Sequence, residues 1–167
     1  DVCSSDLGPS ELSVGEMCSA YTTFVNRGVR CAPLFVTRIE DSHGNIVAKF
    51  QPLMNEVISE ESSYKMLDML QAVVQGGTGG RLRYHYNLTG EIGGKTGTTN
   101  KNSDGWFMGF TPQLVNGCWV GGEDRDIHFD VTAMGQGATM ALPIWAYYMQ
   151  MVYADKSLHY SPKAKFD

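Results

Sequence analysis

The stretch Gly93-Gly94-Lys95-Thr96-Gly97-Thr98-Thr99 holds the residues best suited to chemistry. It puts a cation, a run of hydroxyls and three glycines on what reads as a strand. Glycine weakens a strand interior and often marks a place where another backbone comes close. Two other readings of the motif can be set against this one. As a phosphate-binding loop, Gly94-Lys95-Thr96 would need a glycine at the position of Thr89, with a helix directly after the lysine. Gly90 is one place off, and the next residues run Gly97-Thr98-Thr99-Asn100 into a turn, so the nucleotide reading fails twice. The plainer reading is a Gly-rich turn with one solvated lysine.

The elements around the motif must hold it in place. Leu88-Thr89-Gly90-Glu91-Ile92 reads as the strand that enters it. Asn100 to Gly105 is a turn. The Trp106–Phe110 strand, a turn at Thr111-Pro112 and a strand over Val115–Val120 then give a three-stranded antiparallel meander. Upstream, Ser13-Val14-Gly15-Glu16 has capping-box spacing. Val14, Met17, Cys18, Tyr21, Phe24 and Val25 recur at helical spacing, with Gly28 as the stop. Leu34–Glu40 and Ile46–Phe50 read as a hairpin around the Asp41–Asn45 turn. Ser59-Glu60-Glu61 opens a second helix with acids in its first turn. Its stripe is Met66, Leu67, Leu70, Val73 and Val74, and Gly76–Gly80 reads as a flexible loop after it. Gly135–Thr139 reads as loop, and Pro143 as the start of a helix over Ile144–Tyr153 that is apolar all round and therefore buried. The tail, residues 155–167, is polar and reads as loose.

Composition narrows the classes. The 167 residues suit one domain, and 43% hydrophobic content supports a packed core. The net charge of -5, with no basic stripe, argues against nucleic acid. No run approaches a membrane span. Cys3, Cys18, Cys31 and Cys118 lack C-x-x-C spacing, and the four histidines are scattered, so no metal and no cofactor is expected. The Gly121–Asp126 stretch, running on to His128 and Asp130, reads as a solvated acidic loop rather than a metal site.

With Asp104-Gly105-Trp106-Phe107-Met108-Gly109-Phe110-Thr111-Pro112, Cys118-Trp119-Val120-Gly121 and Ala141-Leu142-Pro143-Ile144-Trp145 around it, Lys95-Thr96-Gly97 resembles the third motif of the serine penicillin-binding proteins and serine beta-lactamases. Their set is S-x-x-K, S-x-N and K-T-G. The helix from Leu12 to Gly28 resembles the one that follows their second motif. Order and spacing match the bifunctional, glycosyltransferase-linked (class A) penicillin-binding proteins best, over Gly8 to about Tyr153.

The resemblance implies an α+β fold: an antiparallel sheet with packed helices, an incomplete penicillin-binding protein/serine beta-lactamase-like transpeptidase domain over residues 8–154. It implies serine acyl transfer on a stem peptide ending in D-Ala-D-Ala, and reaction with beta-lactams. Lys95 would supply positive charge. The Thr98 backbone N–H would give one oxyanion donor. Thr96, Gly97, Thr98 and Thr99 would bind substrate, the Thr96 and Thr98 hydroxyls holding its terminal carboxylate, with Gly94 and Gly97 admitting its backbone. The setting would be the periplasmic or cell-envelope face of a bacterial inner membrane, with anchor and glycosyltransferase domain upstream.

The chain departs from the family pattern in two respects. S-x-N is absent, and the one S-x-x-K, Ser62-Ser63-Tyr64-Lys65, falls on the wrong helix and in the wrong order. It reads as a chance match, which leaves nucleophile and base outside this chain. Asp1–Leu7 (Asp-Val-Cys-Ser-Ser-Asp-Leu) reads as a translated sequencing adapter and is set apart from the fold. The alternatives are a serine beta-lactamase-like piece and a non-catalytic peptide-binding domain. In any of these, an apolar face without its cover would favour association.

Overall fold

A computed structural model describes residues 12–124 and 126–166. The segment Asp1–Leu7 set apart above lies outside them. Helix α1 (Val14–Val25) begins with a full capping box: the Ser13 hydroxyl accepts from the Glu16 N–H, and the Glu16 carboxylate accepts from the Ser13 N–H. These bonds hold the Glu16 carboxyl below its usual range. Helix α2 (Glu60–Gln75) starts at an Ser59 cap. It buries Leu67, Leu70 and Val74 and, unforeseen, Ser63; Met66 and Val73 are only half-buried.

Strands β5 (Gly93–Thr98), β6 (Asp104–Thr111) and β7 (Leu114–Gly121) form an antiparallel sheet in the order β5-β6-β7, as the meander reading requires. Opposed residues in such a pair share a face. Lys95 opposes Met108 and Gly93 opposes Phe110. Met108 and Phe110 pack with Met17, Tyr21, Leu67 and Leu70, so this face meets α1 and α2. Thr96 opposes Phe107 and Thr98 opposes Gly105. Phe107 packs with Leu142, Trp145 and Met149 of helix α5 (Gly137–Ala154), which covers the other face. The sheet is thus sandwiched between two helical layers, the α+β arrangement expected of it.

Upstream, β1 (Val29–Cys31) pairs with β4 (Met54–Glu56), and β2 (Arg38–Glu40) with β3 (Ile46–Lys49). Leu34–Thr37 and Phe50 fall outside the strands, so the hairpin is shorter than its alternating sequence suggests. Its apolar residues, Phe35 and Val47 among them, are exposed. Among the described residues, no core cluster includes them to reward a longer pairing.

Five further expectations are corrected. Leu88–Ile92 is not a strand: Gly90 sits at φ +91 in a bend, which breaks extended backbone. The Gly76–Gly80 segment is tied down, its Gly76, Gly77 and Gly79 amides bonding back to the Ala72 and Val73 carbonyls, and it leads into a short helix α3 (Arg81–Tyr84). Gly135–Thr139 is not a loop: α4 (Thr132–Gly135) ends there, and α5 starts at Gly137. Pro143 therefore lies inside α5, where it forgoes one intrahelical bond. Nor is that helix buried all round; Ile144, Tyr147, Tyr148 and Met151 are exposed.

The fifth correction concerns the tail, which is docked. Ser161 N–H donates to Gln113 Oε1 (2.9 Å). Lys165 Nζ and the Phe166 N–H donate to the two oxygens of Glu91, at 3.0 and 2.6 Å. The Phe166 ring meets Phe110 edge-on at 5.9 Å.

Candidate active-site strand

Among the described residues, strand β5 is the end of its sheet, with β6 on one side and an open edge on the other. Within an antiparallel strand, successive residues alternate in which neighbour their N–H and C=O address. The Thr99 N–H bonds the Asp104 carbonyl on the β6 side. Thr98 N–H and Thr96 C=O therefore face the open edge. Lys95 Nζ donates to that Thr96 carbonyl at 2.6 Å, so the ammonium lies at the edge as well.

The hydroxyls occupy the opposite face of the strand from the lysine stem. Thr96 is 8% exposed, and its Oγ1 is 2.8 Å from Thr78 Oγ1 in the glycine loop after α2. Thr98 Oγ1 accepts from the Gly137 N–H, the first amide of α5, at 3.1 Å. A side chain at Gly137 would strike the Gly97 and Trp106 carbonyls, so only glycine brings that helix end onto the strand.

Thr99 is placed differently. Its hydroxyl is 3.0 Å from Ser103 Oγ, donates to Asp104 Oδ2 at 3.2 Å and accepts from the Asp104 N–H at 2.9 Å. It fastens the turn from β5 to β6. At Gly94 a Cβ would lie 2.8 Å from the Phe107 ring and 2.7 Å from the Met108 carbonyl oxygen. This glycine makes room for the sheet's own residues, not for an incoming chain.

The S-x-x-K match does not form a reactive pair. Ser62 lies in the first turn of α2, where its N–H and Oγ meet Ser59 Oγ. Lys65 pairs with Glu61 at 2.6 Å in an exposed i,i+4 bridge. Between them, Ser63 Oγ donates to the Thr23 and Phe24 carbonyls at the end of α1. Sequence reading missed Thr78. The signal for it was the hydroxyl between two glycine pairs, Gly76-Gly77-Thr78-Gly79-Gly80.

An edge strand bearing Lys-Thr-Gly-Thr thus lies between a two-helix layer and a closing helix. The model of the penicillin binding protein transpeptidase domain matches residues 3–121, and the chain belongs to that family. Penicillin-binding protein 1A of Aquifex aeolicus is 37% identical over 87% of this chain and 19% of its own length. The structure of penicillin-binding protein 1A from Haemophilus influenzae superposes with a TM-score of 0.81 at 25% identity, over 96% of this chain and 28% of that one. The penicillin-binding protein PonA1 from Mycobacterium tuberculosis gives 0.76 at 25% identity, over 96% and 42%. The chain thus spans about a fifth of the length of the curated relatives it matches.

Proposed function

We propose that this chain supplies the substrate-binding strand of a peptidoglycan D,D-transpeptidase, which cross-links stem peptides by serine acyl transfer and is acylated by beta-lactams. The observation that carries this reading is the open edge of β5, with Lys95 Nζ and the Thr98 N–H both turned towards it. A peptide ending in D-Ala-D-Ala adds along this edge and gains main-chain hydrogen bonds. Its terminal carboxylate accepts hydrogen bonds from the Thr96 and Thr98 hydroxyls, with Gly97 between them, while Lys95 balances the charge. Thr99 contributes by holding the turn that ends the strand.

The Thr98 N–H is one oxyanion donor. The second donor, the nucleophilic serine and its base come from parts of the domain beyond this chain. One missing donor costs on the order of 3 kcal/mol in related chemistry, so this segment alone is a poor acyl-transfer catalyst. The parent works at the cell-envelope face of a bacterial inner membrane. Among the described residues no helix is long and apolar enough to cross a membrane.

The test grafts residues 12–166 onto the Aquifex aeolicus relative in place of its matching segment and follows covalent labelling by a fluorescent penicillin. The expected result is a labelled chimera whose labelling falls about a hundredfold with Lys95→Ala. A folded chimera that takes no label, or is labelled equally well with Lys95→Ala, overturns the reading. The unlabelled result would favour a non-catalytic peptide-binding domain.

A further inference from the structure

We infer that Thr78 is a positioning residue for the site: it sets the direction of the Thr96 hydroxyl proton and so fixes how the strand receives a carboxylate. This rests on the reading of Thr96 as a carboxylate-binding residue. Thr78 belongs neither to the strand nor to the Lys-Thr-Gly motif, and its role follows from the glycine loop.

Thr96 Oγ1 and Thr78 Oγ1 are 2.8 Å apart, so one of the two hydroxyls donates to the other. If Thr96 donates to Thr78, its proton is spent and it offers an anion only lone pairs, which repel it. If Thr78 donates to Thr96, the Thr96 proton is left for the carboxylate. An incoming anion selects the second arrangement. Thr98 Oγ1 is also met from outside the strand, accepting from the Gly137 N–H.

The loop is built to hold Thr78 there. Gly77 and Gly79 amides bond the Val73 carbonyl on either side of it. Gly79 and Gly80 are buried, whereas Thr78 itself is exposed. Arg81, just beyond, reaches the Ala138 carbonyl at 3.4 Å and ties the same segment to the start of α5. Thr78 is exposed while Thr96 is buried, so their bond joins the surface of the loop to the strand.

The chimera described above, with Thr78→Val, Thr78→Ser and Thr96→Val, provides the test. Acylation is measured with a penicillin bearing its free carboxylate and with the methyl ester of the same compound. Thr78→Val is expected to weaken acylation by the carboxylate form about fivefold, as losing one neutral hydrogen bond implies. The loss should lie in the binding constant, with the limiting rate unchanged. The ester should react equally with Thr78→Val and wild type, and Thr78→Ser should restore the carboxylate preference.

In the 167-residue chain itself, NMR couplings should show one Thr96 side-chain rotamer, and rotamer averaging with Thr78→Val. If Thr96→Val discriminates carboxylate from ester while Thr78→Val does not, the inference fails and the site reading stands. If Thr96→Val makes no such distinction, the carboxylate role of Thr96 falls, and the inference with it. Equal losses with acid and ester for Thr78→Val would mean a merely structural role and would also overturn it.

Discussion

Ser63 shows how a single hydroxyl can join two helices. Helix α1 ends with carbonyls that have no intrahelical donor. Ser63 Oγ, fully buried in the face of α2, reaches two of them, Thr23 O at 3.0 Å and Phe24 O at 3.2 Å. Thr23 O also accepts from the Gly28 N–H, so Ser63→Ala leaves Phe24 O short of a donor and should lower stability by about 1 kcal/mol. Denaturant unfolding of the 167-residue chain measures it; Ser62→Ala, at a first-turn hydroxyl bonded only to the Ser59 cap, should cost less. An unchanged midpoint for Ser63→Ala would mean that α1 finds another donor. The sequence showed these neighbours as an S-x-x-K match, and their spacing alone could not tell a nucleophile from a helix-packing serine. At β5 the residue types were legible because alternation decides them: Lys95 had to face away from Thr96 and Thr98. The partners Thr78 and Gly137 were not, since they come from loop and helix positions 18 and 39 residues away.

Among the elements, the docking of the tail onto the bend before β5 is the least expected feature. Residues 155–166 are polar enough to read as loose, yet Glu91 gathers Lys165 and the Phe166 amide, and Phe166 joins the α1/α2 side of the core. Those bonds hold the Glu91 carboxyl below its usual range. A carboxyl with a folded pKa below its unfolded one adds stability above the unfolded value of about 4.3, and the gain is lost as pH falls through the folded pKa. Acidification below that value should therefore release the tail first. Protection of the Phe166 amide from hydrogen exchange, relative to an unstructured amide at the same pH, should fall there in wild type and be reduced already at neutral pH in Glu91→Gln. Exchange that ignores both changes would show the tail held by Phe166 packing alone. Gly90 belongs to the same clasp: its φ is +91, and a side chain would strike the Pro162 carbonyl. Gly90→Ala should lower Tm. Helix α5 was misjudged for a related reason. Gly135, Gly137 and Pro143 look like punctuation in sequence, but Gly137 is small so that the helix can touch β5 and β6, and Pro143 is half-buried within the helix.

At the scale of the molecule, the meander and its helical layers were legible because strand alternation and helical periodicity each survive in long, well-packed elements. What sequence could not show is which surfaces lack a cover. Two lie side by side. The outer face of α5 exposes Ile144, Tyr147, Tyr148 and Met151, the last at 65%. Strand β7 is the other end of the sheet. A groove between them is lined by Asn116, Gly117, Cys118, Ile144, Trp145 and Tyr148. Within it, Asn116 Oδ1 is buried with no hydrogen-bond partner among the described residues. An open strand edge beside apolar side chains is a template for pairing with another chain. In a solution of this chain alone the available partner is a second copy. Sedimentation velocity should show mass rising with concentration. Ile144→Glu with Met151→Lys, both at exposed positions, should return the chain to a monomer with Tm unchanged. A monomeric wild type would show that the groove and the β7 edge do not recruit a second copy. Association that survives the double substitution would move the contact elsewhere, and the exposed apolar residues of the β2–β3 hairpin, Ile39, Ile46 and Val47, would be the next to charge.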